Sequence, residues 1–274
     1  MLALTVTETG PGVVLQHTAP MVYLDHWAFR KFSGDNDLAS RLTGILHGRG
    51  GTLALSWLNL AEYATVSDPD QRGAAEQFVE GILPAVFCID VNLAAVNQRE
   101  GAHDSLPHAD RALALLFVTT EGQGLEAFTA TGLFERLYNE SLTRIKDRLA
   151  AAIQERLELL RRTHSEDDLF RKAVIHANHP EAIRATTRTR AIVRALAATF
   201  FPDLRRVITP NDAIDFLHAA IPVTYCDVVL LDGGTADLVE RARRKLDATG
   251  IRMATVFPGR GDGIERFLLL LKET

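Results

Sequence analysis

Short apolar runs alternate with helix-patterned segments at both ends of this chain, and that alternation limits the folds open to it more than any other feature. MVYL before Asp25, TLAL at 52–55, AVFCI before Asp90, VVLL before Asp232 and MATVFP near the end read as strands. The first four are apolar apart from Thr52, without polar alternation, as in strands covered on both faces. Between them Leu38, Leu42, Ile45 and Leu46 recur at i, i+4, i+7 and i+8, the stripe of an amphipathic helix. Ser56 before WLNLAEYA, Thr209 before PNDAIDFLHAA and Gly250 after ADLVERARRKLDAT punctuate three further helices. The expected class is α/β, an open and mainly parallel sheet with helices on both faces.

Strand patterns vanish between about residues 97 and 204. A helix is expected from about Ser141, with Ile145, Leu149, Ile153 and Leu157 on one face, and another after Pro180. The chain therefore divides into an α/β domain of residues 1–96 and 205–274 and a large all-helical insertion, 97–204.

Charge is distributed unevenly. Residues 1–140 hold eight Lys/Arg against seventeen Asp/Glu, residues 141–210 fourteen against eight, and residues 211–274 eight against ten, within a net charge of −5. An acidic body with one basic segment suits a cation-binding site served by a phosphate-attracting surface, and equally suits solvated helices. No apolar run is long enough to span a bilayer, and the start lacks signal-peptide character, so a cytoplasmic location without membrane contact is expected. Cys88 and Cys226 sit in apolar surroundings without CxxC spacing and read as buried thiols. His176 and His179 lack further ligand-like partners. The clusters GRGG and PGRGDG match no phosphate-binding fingerprint and read as turns.

Ligands of open parallel sheets bind beyond the carboxyl ends of the strands, where Asp25 and Asp232 each close one. Glu62, expected near the start of the helix after the second strand, faces the same edge if that strand is parallel. Asp215 lies in the first turns of the helix preceding VVLLD, with Asp212 three residues earlier. Carboxylates gathered this way repel one another unless a divalent cation compensates, and an all-oxygen donor set favours Mg²⁺ or Mn²⁺. Asp212 also has a structural reading, because Thr209-x-x-Asp212 has capping-box spacing. Asp227 reads equally as a ligand and as a loop acid. An aspartyl phosphatase would need a D-x-D pair at the first strand end, where position 27 is Trp.

VYLD at Asp25, NLAE at Glu62, DFLHAA at Asp215 and VVLLD at Asp232, the last two seventeen residues apart, resemble the PIN domain family of metal-dependent ribonucleases. The resemblance covers about the first ninety and last seventy residues. It implies phosphodiester hydrolysis, chiefly of RNA, leaving a 5′-phosphate, with Asp25, Glu62, Asp215 and Asp232 catalytic and holding Mg²⁺ or Mn²⁺. The fuller pattern NDAIDFLHAAIPVTYCDVVLLD is similar to larger PIN-like proteins and adds Asp212, Asp227 and His218 to the site. Trp27 and Leu230 stand where the family commonly has a polar residue and a hydroxyl. Arg184, Arg188, Arg190 and Arg194, within about 160° of arc on a single helix, are expected either to contact phosphates or to form a solvated face. The alternative function is an inactive PIN-like scaffold whose helical insertion binds a protein partner; a second copy of the chain is another candidate partner.

Overall fold

The structure, a computed structural model, describes residues 1–7, 10–100, 106–121, 124–137, 140–177, 179–184, 186–202 and 204–273. An antiparallel hairpin, β1 (Leu2–Thr7) and β2 (Gly10–Leu15), comes first. The chain then runs β3 (Met21–Leu24), α1 (His26–Ser33), α2 (Asn36–Arg49), β4 (Thr52–Leu55), α3 (Trp57–Ala64), α4 (Pro69–Ile82) and β5 (Val86–Cys88). Next come α5 (Leu93–Arg99), α6 (Arg111–Leu115), the antiparallel pair β6 (Val118–Glu121) and β7 (Gly124–Phe128), and α7 (Leu133–Leu137). Helices α8 (Glu140–Glu166), α9 (Asp168–Ala177), α10 (Pro180–Arg184) and α11 (Arg188–Ala197) follow. The chain ends with α12 (Pro210–Ala220), α13 (Pro222–Tyr225), β8 (Val228–Leu231), α14 (Gly233–Leu246), β9 (Thr255–Pro258) and α15 (Gly263–Glu273).

Five strands form one wholly parallel sheet in the order β5-β4-β3-β8-β9. Side chains alternate across it because successive residues of a strand point to opposite faces. Met21, Tyr23, Ala54, Phe87, Val229 and Leu231 enter one core with α8, α11, α12 and α14, while Val22, Leu24, Leu53, Leu55, Val228 and Leu230 enter the other with α1, α2, α4 and α15. Both faces are thus covered, which is why β3, β5 and β8 are apolar throughout and β4 is apolar after Thr52. Leu230 is fully buried in the second core.

The helices begin and end where the local chemistry directs. Ser56 and Asn59 close a capping box on α3, and Thr209 and Asp212 close one on α12 with Pro210 in the first turn. Gly50 ends α2 at φ +67°, a conformation costly for a residue with a Cβ.

Three expectations need correction. The first strands are β1 and β2, ahead of MVYL; their Gly-Pro-Gly start in β2 obscures the alternation. Residues 97–204 are not all helical, since β6 and β7 pair there and Ile89 bridges Ala109. The arginine-bearing segment after Pro180 is not a single helix: α10 stops at Arg184, and α11 restarts with Thr187 as its N-cap, accepting from the Arg190 N–H. The segment also shares the sheet's core, with Ala150, Leu157, Ile183, Ala191 and Leu196 beside Tyr23 and Val229. No helix among the described residues is long and apolar enough to cross a membrane.

Candidate functional site

Asp25 and Asp232 occupy the carboxyl ends of adjacent strands, and each caps the helix that follows. Asp25 Oδ1 accepts from the Ala28 N–H (2.7 Å), and Asp232 Oδ1 accepts from the N–H groups of Gly234 (2.7 Å) and Thr235 (3.3 Å). The two are tied directly, for Asp25 Oδ2 accepts from the Asp232 N–H at 2.5 Å. Capping and site membership are therefore compatible, because each bond fixes a carboxylate's direction while leaving it further lone pairs.

Asp25, Glu62, Asp215 and Asp232, with His26, Trp27, Asn211, Ile214 and His218, line one pocket of about 300 Å³. Glu62 arrives from the last turns of α3 rather than the start, and reaches the pocket because α3 is only eight residues long. Asp215 comes from the second turn of α12, and its carboxylate has no hydrogen-bond partner among the described residues.

His218 is buried below the acids and orients one of them. Its Nε2 lies 2.8 Å from Glu62 Oε2, and its Nδ1 meets the Tyr23 hydroxyl. Burial alone would lower the His218 pKa, but the charges of Glu62, Asp25 and Asp215 and the Glu62 bond outweigh it and raise it. A protonated imidazole donates from both nitrogens. Tyr23 can then donate to Ser56 Oγ (3.2 Å), Ser56 to Asn59 Oδ1 (2.9 Å), and Asn59 Nδ2 to the Leu24 carbonyl (3.0 Å). The chain of bonds ties Glu62 to the end of β3.

The carboxylates differ electrostatically. Burial raises Glu62, but His218 and His26 beside it hold its pKa below the ordinary value. Burial raises Asp25 to about 6 against the opposing hydrogen bonds from Ala28 and Asp232. Burial, with the neighbouring charges of Asp232, Asp25 and Glu62, raises Asp215 to about 7. This environment favours a compensating cation, and the oxygen donors suit a hard divalent ion. Among the described residues, however, no three His, Cys, Asp or Glu side chains already stand close enough together to hold a metal.

The other sequence candidates lie elsewhere or have other duties. Asp212 Oδ2 accepts from the Thr209 N–H and hydroxyl while Oδ1 pairs with Arg206, so the capping reading describes it. Asp227 Oδ2 accepts from the Met21 N–H at the amino ends of β3 and β8, the opposite sheet edge. Arg188 is also on that edge, donating to the Arg252 carbonyl at 2.9 Å and lying within electrostatic reach of Asp227. Arg194 borders an apolar pocket with Phe170 and Phe201, Arg190 is exposed on α11, and the Arg184 side chain lies outside the described residues. Sequence reasoning missed His26, Trp27 and Asn211 as lining residues; their adjacency to Asp25 and to the start of α12 was the available signal. It also missed Lys146 of α8, whose charge reaches Glu62 and His26 because α8 packs on α3 and α12.

No family model, curated protein or solved structure matches the chain.

Proposed function

We propose that this chain is a PIN-like, metal-dependent nuclease that hydrolyses phosphodiester bonds of RNA, with Asp25, Glu62, Asp215 and Asp232 holding Mg²⁺ or Mn²⁺. The observation supporting this most strongly is the convergence of four carboxylates, from four separate segments, on one pocket at the carboxyl edge of a parallel sheet. Asp212 and Asp227 fall outside the proposed ligand set because of their placement. A bound divalent ion would lower the pKa of a water and offset charge on the leaving oxygen. The protein's own contribution is orientation. Backbone N–H groups aim Asp25 and Asp232, the Tyr23–His218 pair aims Glu62, and Asp215 supplies the least engaged oxygens.

The test is Mn²⁺-dependent cleavage of a mixed RNA panel by the purified chain and by Asp25→Asn and Asp232→Asn. The expected result is wild-type cleavage that falls on the order of 100-fold or more in each variant, since each replaces a proposed metal-binding carboxylate by a neutral amide. Equal cleavage by all three proteins would overturn the proposal.

A second reading, a PIN-like scaffold binding a protein partner through residues 97–204, draws on α9. That helix buries no residue and leaves Leu169 78% and Ile175 66% exposed. Absence of both cleavage and Mn²⁺-induced thermal stabilisation would favour it.

A further inference from the structure

Trp27 sits in the first turn of α1, two residues beyond Asp25, and lines the acidic pocket while remaining 38% exposed. Its ring packs directly on the backbone at Gly259. A Cβ at Gly259 would lie 2.2 Å from Trp27 Cζ3 and 2.6 Å from Cε3, so only glycine permits this approach. An indole backed by Gly259 at the mouth of a polar pocket offers apolar surface to a ligand.

Two cations lie near the adjoining His26, whose pKa is lowered by burial and by their charges. Arg30 lies three residues along α1, on the same helical face, and is exposed. Lys146 is carried in by α8 to within electrostatic reach of Glu62 and His26. Neither makes a salt bridge among the described residues, whereas Arg41, Arg99, Arg243 and Arg260 all do. A flat apolar ring and a cluster of acids thus line the pocket, and beside it, near His26, stand two cations with no ion-pair partner among the described residues. A ligand satisfying all three has a planar base, anionic phosphates and a phosphate able to share a divalent ion with the carboxylates.

We propose that Trp27, Arg30 and Lys146 form a stacking subsite beside the acidic pocket, selecting an unpaired base with flanking phosphates and so a single-stranded nucleic acid. In a duplex, both faces of each interior base are already stacked, leaving the indole little to cover. The substrate class rests on the nuclease reading, but the subsite is tested without turnover.

The experiment measures binding of decauridylate, decathymidylate and a blunt duplex of the same length in EDTA, by anisotropy and tryptophan quenching. Both single strands are expected to bind and quench, and the duplex to bind more weakly. Trp27→Ala should weaken single-strand binding by about 5- to 150-fold, the range for loss of one base–aromatic stack, while Trp27→Phe stays within about 5-fold. Arg30→Ala and Lys146→Ala should each reduce the salt slope by about 0.7, and Arg190→Ala should leave it unchanged. Thermal melting of each variant confirms folding.

The subsite is overturned if wild type binds no strand, if folded Trp27→Ala binds as wild type does, or if the duplex binds as tightly as single strands. Trp27-dependent binding together with absent Mn²⁺ cleavage would retain the subsite and overturn the nuclease. Cleavage by wild type with undiminished binding by Trp27→Ala would do the reverse.

Discussion

Asp215 concentrates the electrostatic cost of the pocket, with burial and three neighbouring carboxylates holding its pKa near 7. A carboxyl whose folded pKa is raised binds a proton that the unfolded chain releases above its ordinary value of 3.8. Its contribution to stability is therefore full below that value and lost as pH climbs through about 6 for Asp25 and about 7 for Asp215. His218, whose folded pKa is also raised, works in the same direction. Calorimetry in EDTA should show a melting temperature falling from pH 5 to pH 8. Asp215→Asn should flatten that fall and gain about 1 kcal/mol at pH 8, roughly 2–4 °C. A variant less stable than wild type at pH 8 would show that Asp215 is not strained. Asp25 and Asp232 were legible in the sequence because a strand end fixes position. His218 was harder to place: its role depends on Tyr23, 195 residues away, and only the packing of α12 against the sheet brings them together.

Among the elements, α12 shows most clearly how capping and ligation compete for one residue type. Asp212 is occupied by the cap and by Arg206, whereas Asp215, one turn further, faces the pocket. Asp212→Ala should destabilise the chain by about 1 kcal/mol in urea denaturation while leaving Mn²⁺ affinity within about 2-fold of wild type. A 10-fold loss of affinity would return Asp212 to the ligand set. The Ser56 cap of α3 and the Thr209-x-x-Asp212 capping box of α12 were legible because they are local patterns, whereas Asn59 as the reciprocal partner of Ser56 emerged only in the structure. The pairs β1–β2 and β6–β7 were not, since Gly and Pro in β2 and a register shift at Thr119/Thr120 disguise a short antiparallel strand. Nor was the break before Arg188, where one arginine-rich stretch divides into two helices with Thr187 capping the second.

At the scale of the whole molecule, the segment from 97 to 204 contributes to the core that supports the site. Leu157 of α8 is 3% exposed in the cluster containing Tyr23 and Val229, and α8 packs on both helices that carry Glu62 and Asp215. Leu157→Ala should cost about 2–5 kcal/mol, and wild type and variant should each unfold in one transition. Two separable transitions would show that the segment folds independently of the sheet. Its sequence could not reveal this, because an amphipathic stripe specifies that a helix will be buried without specifying against what. The shared core also explains how a basic segment brings Lys146 within electrostatic reach of Glu62 while Arg188 is carried to the opposite edge. Whether the four carboxylates act as one cation site is tested by an anomalous-scattering map from crystals soaked in Mn²⁺. The expected result is a peak within about 2.5 Å of carboxylate oxygens from Asp25, Asp232 and at least one of Glu62 and Asp215, slightly beyond hard-cation contact distances. A saturating soak with no peak in this pocket, or Mn²⁺ bound only elsewhere, would contradict it.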